Sequence, residues 1–199
     1  MTEETHRAHM TLWRTLTGGG NRALANRPDR AALRKLGCVN TPAGEQIDLL
    51  TALAIPSFQA YRKNLSIGLK DQQNATTWER LAYAAVAASA IAWIDDNSNA
   101  RSVAALLGGS GRDSLYSEVR FKRLLRCDSP ERLLPEAQRM ARMLGRAAPV
   151  SDLGNVLANW GDETWGPRKR RDWAFDYWKQ NDAEAETLEA TETESETAA

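Results

Sequence analysis

Apolar positions recur at helical spacing along most of the chain, and runs of alternating β-branched residues are missing. A first helix is predicted from about Thr5 to Leu16, with Met10, Trp13 and Leu16 on one side and Gly18-Gly19-Gly20 as its stop. A basic connector, Asn21 to Arg27, leads to a short helix opened by Pro28 and closed by Gly37. Thr41-Pro42 is expected to start a helix that ends near Pro56, and Phe58, Tyr61 and Leu65 mark the face of a fourth. Thr76 and Glu79 have the spacing of a capping box and would launch an alanine-rich helix through Trp93. The polar break Asp95–Asn99 separates two expected halves.

In the second half, a short helix ends at Leu107, and Gly108-Gly109-Ser110-Gly111 forms a loop. A basic helix should follow over roughly Ser114 to Cys127, with Leu115, Phe121, Leu124 and Leu125 facing inward. Ser129-Pro130-Glu131 caps the next segment, Pro135 restarts it and Gly145 ends it. Ser151-Asp152 opens a helix whose Leu153, Val156, Leu157 and Trp160 make a complete apolar stripe. Gly161 ends that stripe, and a last helix begins near Pro167 with Trp173, Ala174, Tyr177 and Trp178. The expected fold is all-α: a helical bundle of about eight or nine helices in two packed halves, residues 1–95 and 96–181. Residues 182–199 are an acidic tail with too little apolar surface to order itself.

Charge changes the picture. Lys+Arg and Asp+Glu both number 26 in the 199 residues. Seven of the acids, and none of the bases, fall in Asp182–Ala199, so Met1–Asn181 carries 26 bases against 19 acids, a net +7. That asymmetry fits a nucleic-acid partner as well as a solubilising tail on an ordinary surface. Three basic groups stand out: Arg22, Arg27, Arg30, Arg34 and Lys35; then Arg120, Lys122, Arg123 and Arg126 with Arg139 and Arg142; then Arg168, Lys169, Arg170 and Arg171. Arginine dominates, and its planar fork grips two phosphate oxygens at once. No Asn or Gln pattern suggests base reading, so backbone contact without sequence preference is expected. The plainer reading is solvated faces paired with Asp113, Glu118, Asp128 and Asp172.

Catalytic signatures are weak. His6 and His9 could share a metal at their i, i+3 spacing, yet two ligands near a terminus suit a solvated helix surface better. The glycine runs match neither a phosphate loop nor a dinucleotide fingerprint. Cys38 and Cys127 lack a neighbouring histidine and read as reduced thiols of a soluble, cytoplasmic protein. Asp95-Asp96 and Asp162-Glu163 could hold magnesium for phosphoryl chemistry, the first pair as a nuclease, but acids at helix boundaries are expected for helix-terminal charge alone. The most apolar stretch, Leu81–Ile94, has fourteen residues, short of the ~20 that a membrane helix needs. No catalytic residue, metal site or cofactor is assigned. Trp93, Trp160 and either Trp173 or Trp178 fit apolar stripes, whereas Trp165 in its Gly-Pro loop stays open as a base-stacking candidate.

Certain motifs together resemble a known family. They are Trp13-Arg14-Thr15-Leu16 with Asp29-Arg30-Ala31-Ala32-Leu33-Arg34, then Arg120-Phe121-Lys122-Arg123-Leu124-Leu125-Arg126, then Trp160-Gly161 with Arg170-Arg171-Asp172-Trp173-Ala174-Phe175-Asp176-Tyr177-Trp178. Over about Leu12 to Trp178 the chain is similar to the CasB family, the small subunit of the type I-E CRISPR Cascade surveillance complex. The resemblance implies an all-helical, non-catalytic subunit without cofactors. It would act as a dimer with a second copy of itself, beside the crRNA-bound backbone subunits and the large subunit. It would grip target DNA and guide the displaced strand of the R-loop. The family's basic residues carry over to Arg27, Arg120, Arg123, Arg126, Lys169, Arg170 and Arg171. Trp165-Gly166-Pro167 before the last basic run departs from the family pattern, and the acidic tail lies outside it. The wider candidate nucleic-acid surface adds Arg22, Arg30, Arg34, Lys122 and Arg142. A purely structural scaffold, with these faces docking acidic partner subunits, is the alternative.

Overall fold

A computed structural model describes residues 3–19, 25–42, 44–69, 75–108, 114–145 and 147–179. The chain is predominantly helical, with ten helices and two very small sheets among the described residues. Helix α1 is Glu3–Thr17, α2 Arg27–Arg34, α3 Leu49–Leu53, α4 Pro56–Asn64 and α5 Ala75–Ile91. Helices α6 (Val103–Gly108), α7 (Glu118–Leu125), α8 (Pro130–Met143) and α9 (Val150–Ala158) follow, and α10 covers 165–179.

The packing centres on α5. Every residue from Leu81 to Ile91 is buried, because alanine side chains let α8 and α9 close on this helix from more than one side. Helix α1 lays Ala8, Leu12, Trp13 and Leu16 against α4 and α9. The approach of α1 to α9 is so close that a Cβ at Gly154 would sit 2.5 Å from the His9 ring. The stripe Leu153, Val156, Leu157 and Trp160 is buried as its spacing requires.

Local chemistry sets the ends. Asn26 caps α2 by accepting the Asp29 N–H at 3.1 Å, with Pro28 in the first turn. The buried Asp29 carboxylate in turn accepts the Ser57 N–H at 2.8 Å near the start of α4. Ser129 caps α8, and Asp162 accepts the N–H groups of Thr164 and Trp165 at 2.9 and 2.7 Å to open α10. Asp162 thus serves as a helix cap, as its boundary position suggested.

Several expectations fail. The helix expected from Thr41-Pro42 is instead a hairpin, β1 (Cys38–Thr41) antiparallel to β2 (Gly44–Ile47). Proline pushes the residue before it out of the helical region, and Gly44, at φ +111°, turns the chain. Only then does Asp48 cap the short α3, accepting the Thr51 N–H at 3.0 Å. The basic helix α7 is shorter than expected, and Leu115 lies before it, 49% exposed. Pro135 does not restart α8: the helix runs through it with the proline ring on the exposed side. The described part of α5 is already helical at Ala75, one residue before the expected cap at Thr76.

Asp152 does not cap α9. Its carboxylate accepts the Val103 N–H at 2.8 Å, the first residue of α6, and the Trp173 indole N–H at 3.1 Å. One acid thereby ties α6, α9 and α10 together, and burial raises its pKa. The polar break 95–99 contributes β3 (Asp96–Asn97), parallel to β4 (Ala147–Ala148), and the Asn97 side chain accepts the Val150 N–H at 3.0 Å. The loop expected at Gly108–Gly111 falls largely outside the described residues, as do Asp113 and the acidic tail. No described helix is long and apolar enough to cross a membrane.

Candidate nucleic-acid interface

The first basic group splits. Arg22 lies outside the described residues, and Arg27 is exposed at the start of α2. Arg30 and Arg34, one turn apart on α2, turn back onto the end of α5. Each donates its Nε–H to the Ala92 carbonyl at 2.8 Å. Arg30 also donates to the Ile94 carbonyl at 3.1 Å and pairs with Asp95, while Arg34 stands 3.8 Å from Asp95. Both carbonyls lie in the turn just past Ile91, the last residue of α5, and the two guanidinium groups satisfy them. Asp95 is the counter-charge to α2.

Trp93 then joins the first group to the second. The guanidinium carbons of Arg34 and Arg142 each lie 4.8 Å from its ring centroid, within cation–π range. Trp93 is half-buried, and its buried indole N–H finds no acceptor among the described residues. Core packing explains this residue only in part.

On α8 the organising group is Glu136. It is buried and receives Arg139 at 2.8 and 3.0 Å, Arg123 from α7 at 3.0 and 3.3 Å, and the Tyr116 hydroxyl at 3.2 Å. Burying one carboxylate between two arginines fixes both forks in place. Arg120 also reaches α8, its Nη1 3.7 Å from the Met143 sulfur. Arg34, Arg142, Arg139, Arg123 and Arg120 therefore belong to one face along α8, linked by Trp93 and Glu136. Arg126 is exposed. With Arg123, Leu36, Cys38 and Gln138, it lines an open cleft of about 610 Å³ beside that face. Cys38 and Cys127 both line this cleft, and burial pushes each thiol up to about 11, which keeps them protonated at neutral pH.

The third group sits apart on α10. Lys169 pairs with Asp172 at 3.6 Å, and Arg170 lies over the Trp160 ring at 5.7 Å. Arg168 and Arg171 are exposed and have no carboxylate partner among the described residues. Lys122 on α7 pairs with Glu118 and lies 6.0 Å above Trp178, so α7 borders both regions. Phe121 stacks on Tyr177 at 4.0 Å beneath it. Trp165 is 47% exposed. The pairing of Glu118, Asp128 and Asp172 with neighbouring cations matches the plainer reading for Lys122, Arg132 and Lys169.

The roles of Glu136, Trp93 and Asp95 as anchors were not foreseen. Their partners are long-range, and only the i, i+3 spacing of Glu136 and Arg139 was available locally. His9 also differs from expectation: it is fully buried, with Nδ1 2.8 Å from the Tyr61 hydroxyl and Nε2 without a partner among the described residues. Burial, aided by His6, lowers its pKa to about 4, so it is a neutral core residue and no solvated surface group. Among the described residues, no three His, Cys, Asp or Glu side chains gather as metal ligands.

No curated protein and no solved structure matches the chain. The sequence model of one family, CRISPR-associated protein Cse2, matches residues 29–178. That span takes in Arg30 and Arg34 of α2, the α7–α8 face and nearly all of α10, in agreement with the CasB resemblance, while Trp13–Leu16 and Arg27 lie before it. On this match the chain belongs to the Cse2 family, whose members are structural subunits of the CRISPR Cascade complex.

Proposed function

We propose that the chain is the non-catalytic small subunit of a type I-E Cascade, working in the cytoplasm. It holds nucleic-acid backbone without reading sequence and steadies the R-loop. The observation that carries this reading is the arginine face along α8, where Glu136 and Trp93 pre-orient Arg34, Arg123, Arg139 and Arg142. Pre-oriented forks lose little entropy on meeting phosphate. Exchanging a DNA duplex for an RNA–DNA hybrid is nearly balanced in free energy, so a few backbone contacts decide whether the opened state persists. The guide supplies the sequence information. The target strand and the displaced strand are the expected ligands. The crRNA-bound backbone subunits, the large subunit and a second copy are the expected protein neighbours.

The test is an assembled complex carrying Arg120→Glu, Arg126→Glu and Arg142→Glu, exposed positions whose loss leaves the Glu136 pairs intact. The expected result is faster R-loop collapse with unchanged helicity by circular dichroism. A complex that holds its target as long as the parent overturns the reading.

A scaffold role has its own support, since Val119 and Phe175 are 78% and 69% exposed on α7 and α10. Large apolar groups in water suit a protein neighbour. On that reading the same three reversals eject the subunit before DNA is added, which native mass measurement of the complex detects.

A further inference from the structure

Helix α10 turns one side fully to water. At 3.6 residues per turn, Arg168, Arg171, Phe175 and Lys179 fall on one stripe, opposite Trp173 and Tyr177. All four stripe residues are exposed, and the two opposite are buried. Asp172 shares the exposed side but is paired with Lys169. Elsewhere acids hold several of the cations: Asp95 for Arg30 and Arg34, Glu136 for Arg123 and Arg139, Asp128 for Arg132. The three cations of the stripe have no such partner among the described residues.

The chain itself supplies one. Three positions after Lys179 begins a run with seven acids and no base, Asp182–Ala199. We propose that this acidic run docks back onto the α10 stripe of its own chain, shielding Arg168, Arg171 and Lys179. The distances permit it. From Arg168 to Lys179 the helix rises only about 16 Å at 1.5 Å per residue, whereas eighteen extended residues reach up to ~60 Å. Tethering gives the acids an effective concentration of roughly millimolar, and seven of them act on one stripe. The contact is ionic and exposed, so it weakens with salt. Resting on the nucleic-acid reading for its consequence, the docked run competes with phosphate for these cations. It would withhold the stripe from stray nucleic acid and yield it to a ligand presented at high local concentration.

Arginine-specific labelling by phenylglyoxal, read by mass spectrometry, tests the contact without any nucleic acid. Three proteins are compared: the full chain, the chain ending at Asn181, and the full chain with the seven acids changed to their amides. In the full chain at low salt, Arg168 and Arg171 are expected to react about threefold or more slowly than in the other two, a gap worth one exposed ion pair. The gap closes near ~1 M salt, where screening acts over about 3 Å. Arg101, exposed on another segment, reacts equally in all three. Equal rates at Arg168 and Arg171 across the set overturn the docking. Binding of a short mixed-sequence single-stranded DNA separates the two claims. Tighter binding by the shortened chain, together with the labelling gap, supports both. A labelling gap with no DNA binding by either chain keeps the docking and removes the nucleic-acid reading of this face. Equal labelling with equal DNA binding does the reverse.

Discussion

The arginines of the α2–α8 face and Arg168 and Arg171 of α10 are the same residue in two physical regimes. Around α8 the guanidinium groups are fastened by Asp95, Glu136, the Ala92 and Ile94 carbonyls and the Trp93 ring. On α10, Arg168 and Arg171 stand in water with no carboxylate partner among the described residues. The first set contributes to the fold and presents a fixed array. The second contributes charge alone. Counting cations in a sequence cannot tell these apart, and a charge-reversal experiment that mixes them would confound unfolding with lost binding.

The sharpest break is Arg30→Ala. It removes hydrogen bonds to two carbonyls of the turn after α5 and the pair with Asp95, in a side chain only 17% exposed. Charged hydrogen bonds in such partly buried settings contribute about 1.5–3 kcal/mol each, reduced here because Asp95 faces solvent. The expected loss of unfolding free energy is about 2–4 kcal/mol by urea titration. A loss below ~0.5 kcal/mol, the scale of an ordinary surface change, would erase the distinction between the two regimes.

These comparisons belong above about pH 7, because of His9. Its folded pKa is depressed to about 4 by burial, against about 6.5 in the unfolded chain. The unfolded state therefore binds more protons between these values, and stability falls as pH falls through that window. The slope from this group approaches ~1.4 kcal/mol per pH unit. Replacement of His9 by Gln, close in size and unable to titrate, should flatten the slope between pH 6.5 and 4. An unchanged slope would place the acid sensitivity elsewhere.

Next in size is Glu136→Gln. The amide keeps the shape but loses the charge that holds Arg123 and Arg139. Both arginines are about half exposed and can turn to water, so stability should fall by only about 1–2 kcal/mol. The face gains one net positive charge. Binding to duplex DNA should tighten at low salt, with a log–log salt slope steeper by up to ~0.9. Weaker binding would mean that orientation of the two forks matters more than their number.

What was legible in the sequence follows the range of each interaction. The α9 stripe, the alanine-rich α5, the Ser129 cap and the Asp162 cap depend on neighbours within a turn or two, and spacing reveals them. The CasB motifs likewise sit within short stretches, and the three basic groups were visible as composition. The hairpin at Cys38–Ile47 was missed because Thr41-Pro42 was read as a helix start, although the residue before proline prefers extended backbone. Asp152 looked like a local cap, yet its partner Val103 is 49 residues away. His9 meets Tyr61 across 52 residues, and Arg30 meets Ala92 across 62. Which cations are fastened and which are free depends on contacts of this kind, and no local pattern announces them.

The smallest expected effect comes from Arg168→Gln with Arg171→Gln. Neither side chain has a carboxylate partner among the described residues, so unfolding free energy should change by no more than ~0.5 kcal/mol. Binding should respond differently. If both cations meet single-strand phosphate, the log–log salt slope falls in magnitude by about 1.4, since each contributes ~0.7. A stability loss near that of Arg30→Ala would show that α10 also relies on its arginines for packing. The two regions would then differ in degree only. An unchanged slope with unchanged stability would instead confine nucleic-acid contact to the fastened face along α8, where position and not mobility selects the cations that bind.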